Sequence, residues 1–336
     1  MATIYQVSEL AGVSLATVSR VINNNSLVSE KTKLKVLEAM KKLNYRPNTV
    51  AQSLASNRSN SVGLLVSELH GSFYGSMMSD IELALREFGK HAIITAGHSD
   101  EKSEKEGVEF LISRSCDALI LHVEALSDEY LIELKTRNIP FVTVNRYIPE
   151  IAANCICLDN EVGGYIATKF LLQQGHRDIA YISGPMWKDD AKSRYEGHLR
   201  ALQEFNVKLN KRLIYEGNFQ EEGGQKGVQV LLETGIPFTA IACANDEMAA
   251  GAMSALREKG RNIPDDVSII GFDNLVFSRY TYPKLSTINY PISAIGKTAA
   301  SWVLNNLYID REEDIQHLFT PELVVRDSVK NLNPAT

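Results

Sequence analysis

Along most of the chain the apolar residues come in short runs instead of one continuous stripe. β-rich stretches stand at "SVGLLVSEL" (61–69), "HAIITAG" (91–97), "DALILHV" (117–123), "PFVTVN" (140–145), "CICLD" (155–159), "DIAYISG" (178–184), "TAIACAN" (239–245), "VSIIGFD" (267–273) and "LSTINY" (285–290). Between most of them the apolar positions follow helical spacing, as in "GSMMSDIELALREFGK" and "DEMAAGAMSALREKG". Strand alternating with helix predicts α/β architecture with parallel sheets covered by helices on both faces. The strands are too many for one comfortable sheet in a segment of this length, so two similar lobes are expected.

The first sixty residues keep a different rhythm. Ile4, Val7, Leu10 and Ala11 form the apolar stripe of a short helix that Thr3 can cap. Gly12 permits a turn, and Ser14 can cap a second helix running to about Asn23. In that helix Val18, Val21 and Ile22 face inward, leaving Leu15, Ala16, Thr17, Ser19 and Arg20 outside. Ser29 opens a third, "SEKTKLKVLEAMKKLNY", with Leu34, Leu37, Met40 and Leu43 available for packing. Two helices joined by a glycine turn and braced by a third make a helix-turn-helix arrangement. On pattern alone, a small helical bundle with solvated lysines is the competing reading.

Charge shifts the balance between the two. The 336 residues carry a net charge of −6, but residues 1–58 hold eight bases against Glu9, Glu30 and Glu38, a net +5 that leaves −11 for the rest. A small basic module ahead of a large acidic body is the asymmetry of a chain in which one part meets phosphates and the other does not.

In open parallel sheets ligands sit beyond the carboxyl ends of the strands. That rule selects Phe73 and Tyr74 after the first run, His98 after the second, and Asn145 with Arg146 after the fourth. It also selects Asn245 and Asp246 at "IACAND" and Asp273 with Asn274 after "IIGF". Facing lobes would close these groups around a small polar molecule. For Asp246, next to "EMAAGAM", capping of the following helix is the favoured role.

Other chemistry is narrowed by absence. Cys116, Cys155, Cys157 and Cys243 lie in apolar stretches without CxxC pairs, so they read as reduced core thiols and no metal is expected. No apolar run approaches a membrane span and "MATIYQVSEL" lacks the form of a secretory signal, which points to a cytoplasmic location. No GxSxG elbow, P-loop, metal-spaced histidine pair or GxGxxG follows the first strand, so neither an enzyme nor a cofactor is expected.

Over the whole length of "GVSLATVSRVINNNSLVSEKTKLKVLEAMKKLNYRPNTVAQSLA" the chain resembles the lac/gal repressor family of bacterial transcription regulators. The likeness continues through "GHRDIAYISGP", "SRYEGHLRAL", "ANDEMAAGAMSAL" and "DDVSIIGFDN" to "YPKLSTINYP". "CDALILHVEALSDEYL", "CICLDN" and "FSRYTYPKLSTI" resemble its galactose-responsive branch. The resemblance implies a helix-turn-helix headpiece (1–46), a hinge helix and linker (47–60) and a two-lobed periplasmic-binding-protein-like body (61–336). Its lobes would take about 61–158 with 291–321, and 159–290 with 322–336.

What the resemblance implies about function is specific. The second helix lies in the major groove, where Leu15, Ala16 and Arg20 face base edges, and only Arg20 can pair in bidentate fashion with guanine. Ser14, Thr17, Ser19, Asn23, Ser29, Thr32, Tyr45 and Asn48 grip phosphates. "NTVAQSLASN" is too short to be a stable isolated helix and folds when DNA and a partner copy supply contacts. Leu54, beside Ala55, then wedges a base step in the minor groove. In the body, Asn145, Arg194, Asn245 and Asp273 bind hydroxyls of a sugar, D-galactose, while Phe73, Tyr74 and Phe219 line or stack on it. Asp159 is a weaker candidate near the cleft or hinge.

The implied protein is a homodimer on a near-palindromic operator, since "DSVKNLNPAT" carries no leucine heptads. Inducer-responsive relatives release DNA when the sugar binds, whereas the purine-responsive branch works in the opposite sense. Another sugar, a nucleoside or a purine therefore stays open as the effector, and a periplasmic sugar-binding protein is the remoter reading. Asn274 departs from the second aspartate that many members carry in "GFDN", which bears on fine specificity.

Overall fold

The chain falls into two compact units, Met1–Asn60 and Ser61–Thr336. The computed structural model describes residues 2–22, 28–46, 58–309 and 314–334. In the first unit α1 (Ile4–Ala11), α2 (Leu15–Ile22) and α3 (Glu30–Lys42) enclose Val7, Ala11, Val18, Val21, Val36 and Ala39. Thr3 and Gln6 form a reciprocal cap on α1: Gln6 N donates to Thr3 Oγ1 at 3.4 Å and Thr3 N to Gln6 Oε1 at 2.9 Å. Gly12 ends α1 at φ 64, where a side chain would be strained, and so sets the tight turn into α2.

The packing face of α3 differs from the leucine pattern. Val36 and Ala39 are its buried residues, with Met40 and Leu43 partly buried beside them, whereas Leu34 and Leu37 are exposed, as is Leu10 on α1. Positions 36, 39, 40 and 43 form one helical stripe, and its small members let three short helices approach closely.

The second unit contains two six-stranded sheets. The first has the order β11-β5-β4-β3-β1-β2, built from β1 (Ser61–Val66), β2 (His91–Ala96), β3 (Ala118–Leu121), β4 (Phe141–Val144), β5 (Cys155–Leu158) and β11 (Leu318–Phe319). The second has the order β12-β10-β9-β8-β6-β7, from β6 (Ile179–Ser183), β7 (Ile214–Glu216), β8 (Ala240–Cys243), β9 (Ser268–Asp273), β10 (Ser286–Asn289) and β12 (Glu322–Val324). All neighbours are parallel except β10 and β12. β7, β11 and β12, two or three residues long, carry no periodicity for the sequence pattern to show. The four cysteines are free thiols, with Cys155, Cys157 and Cys243 buried.

Helices α4 (Ser72–Glu87), α5 (Glu101–Ser113), α6 (Asp128–Thr136) and α11 (Ile292–Leu307) belong to the first sheet. The second is served by α7 (Asn160–Gln173), α8 (Asp189–Glu204), α9 (Glu221–Glu233) and α10 (Asp246–Glu258). The chain passes between the lobes three times, after Leu158, after Asn289 and after Phe319. Strand order reverses between β1 and β3 in one lobe and between β6 and β8 in the other, which opens a crevice at the strand ends of each.

Two glycines fix the helix that borders the second crevice. A Cβ on Gly164 of α7 would lie 2.0 Å from the carbonyl oxygen of Arg194 on α8, and one on Gly197 would lie 2.0 Å from that of Glu161. The two helices therefore touch backbone to backbone, and Arg194 is carried on the seam. Gly164→Ala should destabilise the body by about 1–3 kcal/mol through overpacking. Gly75→Ala, which adds a methyl in open space on α4, should be neutral or stabilising. Urea denaturation followed by circular dichroism checks both, and equal stability of the two variants would contradict the seam.

Candidate nucleic-acid interface and ligand cleft

On α2 the residues Leu15, Ala16, Ser19 and Arg20 are exposed together on the face opposite Val18 and Val21. Ser14 and Thr17 share their hydroxyls at 2.9 Å, and Thr17 N donates to Ser14 Oγ at 3.2 Å. Ser29 and Thr32 repeat the arrangement at 2.9 Å at the start of α3. Ser14 and Ser29 thus cap the two helices with Thr17 and Thr32 bonded to their hydroxyls, at N-terminal ends of the kind that suit phosphate oxygens. Tyr45 packs partly buried against the three-helix core. Asn23, Asn48, Leu54 and Ala55 lie outside the described residues.

In the body a cavity of about 460 Å³ lies between the two lobes at the strand ends. Phe73, Tyr74, Asn145, Arg194, Phe219, Asn245 and Asp273 all line it. Phe73 meets Tyr74 edge to face, with ring centres 5.3 Å apart, and Tyr290 likewise at 5.1 Å. On the other lobe the Phe219 ring lies over Gly184, where a Cβ would come within 2.2 Å of Cζ. The glycine after β6 is thus what admits an aromatic wall.

Arg194 organises the polar side. Its Nε donates to Asn160 Oδ1 at 2.9 Å and its Nη1 to the Ala244 carbonyl at 2.6 Å, while the guanidinium stacks 3.8 Å from the centre of the Phe272 ring. The same Nη1 is 3.6 Å from Asp273 Oδ1, and Nη2 is 3.8 Å from Asp190 Oδ2. Asp273 is held at φ 107, and its Oδ1 is buried with no hydrogen-bond partner. Burial pushes its carboxyl well above the ordinary range, against the pull of Arg194. A buried acceptor beside a fixed cation is an unmet demand for a ligand donor.

Several positions take roles other than those expected of them. Asn245, not Asp246, caps α10: Met248 N donates to Asn245 Oδ1 at 3.0 Å, and Asn245 Nδ2 donates to the Phe219 carbonyl at 2.8 Å. Asp246 is instead fully buried, accepting from Leu275 N at 2.8 Å and Thr287 Oγ1 at 2.6 Å, because it points back into the sheet beside Gly271. Asp159 caps α7 through Val162 N at 3.0 Å and is absent from the cavity wall. Arg146 turns away to Asp128 at 2.7 Å. Asn274 binds Arg326 and Asn289, also off the cavity wall.

The wall also includes residues the pattern did not single out, among them His122, Glu124, Trp187, Lys188 and Asp190. His122 follows β3 directly; its Nδ1 lies 3.2 Å from Ser67 Oγ, its Nε2 has no partner, and burial lowers its pKa. The run "DALILHV" extends one residue past it, so a rule that looks beyond the run passes over it. Lys188 and Asp190 stand several residues after β6, outside the reach of the same rule.

The family profile of bacterial regulatory proteins of the lacI family matches residues 3–48, and that of the periplasmic binding protein-like domain matches residues 168–329. The HTH-type transcriptional regulator GalR of Escherichia coli (strain K12) is 40% identical over 329 residues, covering 98% of this chain and 96% of the relative. The chain belongs to the lacI family. It is accordingly a lacI-family transcriptional repressor and not an enzyme. The HTH-type transcriptional repressor PurR of Actinobacillus pleuropneumoniae (serotype 3) is 36% identical over 335 residues, covering 99% of this chain and all of the relative. A lac repressor dimer solved on its operator with an anti-inducer superposes with a TM-score of 0.87 at 30% identity, covering 98% of this chain and 99% of that one. Among the described residues of this lacI-family chain, no helix is long and apolar enough to cross a membrane.

Burial pushes the Asp246 carboxyl from 3.8 up to about 7, against the pull of its hydrogen bonds from Thr287 and Leu275. A carboxyl whose pKa is raised on folding stabilises the fold when protonated, so its contribution falls as pH rises from 3.8 to about 7 and then levels off. Asp246→Asn should remove this dependence. Melting temperatures taken from pH 4 to 8 should show the variant gaining on the parent up to about pH 7 and holding its lead above it.

Proposed function

We propose that this repressor controls sugar utilisation genes in the cytoplasm, binding a near-palindromic operator as a dimer and releasing it when D-galactose fills the cleft. The observation that carries the sugar reading is the unpartnered Asp273 Oδ1 beside the fixed Arg194, in a cleft with aromatic surface on both sides. Hydroxyls offer both donors and acceptors to such a pair, and the apolar face of a pyranose suits Phe73, Tyr74 and Phe219. Glu68, Glu124, Asp190, Glu247 and Asp273 outnumber Lys188 and Arg194 in the wall, which disfavours phosphorylated or acidic ligands. The 40% identity to a GalR regulator supports galactose among neutral sugars.

For the DNA half, the exposed face of α2 presents Arg20 to guanine and Leu15 with Ala16 to thymine methyls. Ser14, Thr17, Ser19, Asn23, Ser29, Thr32, Tyr45 and Asn48 act on phosphates. Residues 47–60 serve as the hinge, and Leu54, with Ala55 next to it, wedges the minor groove at the dimer axis.

The relatedness to PurR regulators gives a purine effector a specific claim, so the decisive measurement pits the two against each other. Galactose at a hundredfold excess over its dissociation constant should stabilise the full chain by about 2.7 kcal/mol in a thermal-shift assay. Asp273→Asn and Arg194→Met should abolish that response, whereas other hexoses, pentoses, nucleosides and purines should give less. Stabilisation by a purine or nucleoside with none by galactose overturns the effector. On an operator selected from random DNA by the parent protein, Arg20→Ala should weaken binding by about 1–3 kcal/mol. Leu54→Ala should weaken it with galactose binding intact, in gel shifts at one fixed salt concentration.

A further inference from the structure

One ion pair in the cleft wall has its members on different lobes. Glu124 follows β3 of the first lobe and Lys188 precedes α8 of the second; Nζ and Oε2 are 2.6 Å apart. The side chains are only 12% and 11% exposed. Ser99, after β2, donates its hydroxyl to the same Glu124 oxygen, and Lys188 Nζ reaches Ser99 Oγ at 3.2 Å.

Both halves are braced. Glu104 of α5 is completely buried and accepts three successive backbone amides, Glu124 N at 2.9 Å, Ala125 N at 2.9 Å and Leu126 N at 2.8 Å. A Cβ on Gly97 would sit 2.5 Å from Glu104 Cγ, so the glycine makes room for that carboxylate. On the opposite side Lys188 N donates to the Pro185 carbonyl at 3.0 Å, closing the turn, and Met186 N donates to Glu216 at 2.8 Å.

We infer that Lys188 and Glu124 form a clasp that favours the closed form of the cleft, with Glu104 as the positioning residue for its first-lobe half. Exposed ion pairs contribute little, but this one is largely shielded from water and is joined by a third hydrogen-bonding group. Opening the lobes separates the two charges, and a contact made only in the closed form biases the equilibrium towards it. Hydrogen bonds also cross the cleft between Asn145 and Asn160 at 3.2 Å and from Asn145 to Asp190 at 3.3 Å, and neither joins opposite charges. The inference holds whichever ligand fills the cleft, so it fails or stands separately from the galactose reading.

The chain carries its own reporter. Of its two tryptophans, Trp187 beside Lys188 is 51% exposed and Trp302 is 8% exposed, so acrylamide quenching of the ligand-free full chain reads the mouth of the cleft. Lys188→Met and Glu124→Gln should each raise the quenching constant about twofold as the open form gains population. Lys188→Glu alone should do the same, and adding Glu124→Lys should restore the parental value, which loss of local packing at residue 188 cannot explain. Glu104→Gln should raise quenching as well. Parental quenching in both Lys188→Met and Glu124→Gln, or a charge-swapped protein as open as Lys188→Glu, would overturn the clasp. A Glu104→Gln protein that melts earlier with unchanged quenching would overturn the positioning role.

Discussion

The body is arranged around a guanidinium that cannot be left alone. Arg194 is buried, and a buried cation is tolerated only where its donors are met and a counter-charge stands near. Ala244 and Asn160 meet two of its donors, Phe272 covers its face, and Asp190 and Asp273 supply negative charge from either side. The close seam of α7 and α8 is what delivers the arginine there. Two carboxyl groups and one cation in a small space leave one carboxyl oxygen, Asp273 Oδ1, short of a hydrogen-bond partner.

The same arginine links the lobes through amides. Asn160 accepts a hydrogen bond from Arg194 with its oxygen and donates its amide nitrogen to Asn145 of the first lobe, whose own amide nitrogen donates to Asp190 four residues before Arg194. The loop of contacts therefore returns to the helix it left. A ligand that binds Arg194 and Asp273 acts on the group that also determines how the lobes meet, which is the physical requirement for coupling a small molecule to a change of shape.

How far the chain could be read from its residues depended on whether a feature repeats. Alternation and helical spacing revealed the strands and helices of both lobes, while β7, β11 and β12 are too short to show a period. The strand-end rule found Phe73, Tyr74, Asn145, Asn245 and Asp273 because their location follows from topology. Arg194 and Phe219 came from family resemblance, since nothing local distinguishes a cleft-facing arginine within a helix from a solvated one. His122, Glu124, Lys188 and Asp190 escaped both routes because their place depends on how the opposite lobe folds against them. In the first unit the large leucines drew attention from Val36 and Ala39, although small side chains are what three short helices need at their crossing. The exchange of roles between Asn245 and Asp246 is similar: either residue can cap a helix, and only the space beside Gly271 decides which one turns inward.

The three passages between lobes have a consequence for how the protein is made. The first lobe takes strands β1 to β5 from the first half of the chain, yet α11, which packs on α4 and on β3 to β5, and the edge strand β11 lie beyond residue 290. During synthesis from the N-terminus, that lobe must wait with an uncovered face while the whole of the second sheet up to β10 emerges. The helices α1 to α3, by contrast, have the described residues of their core in hand by residue 45. A nascent chain therefore presents a finished reading head well before it has a finished sensor.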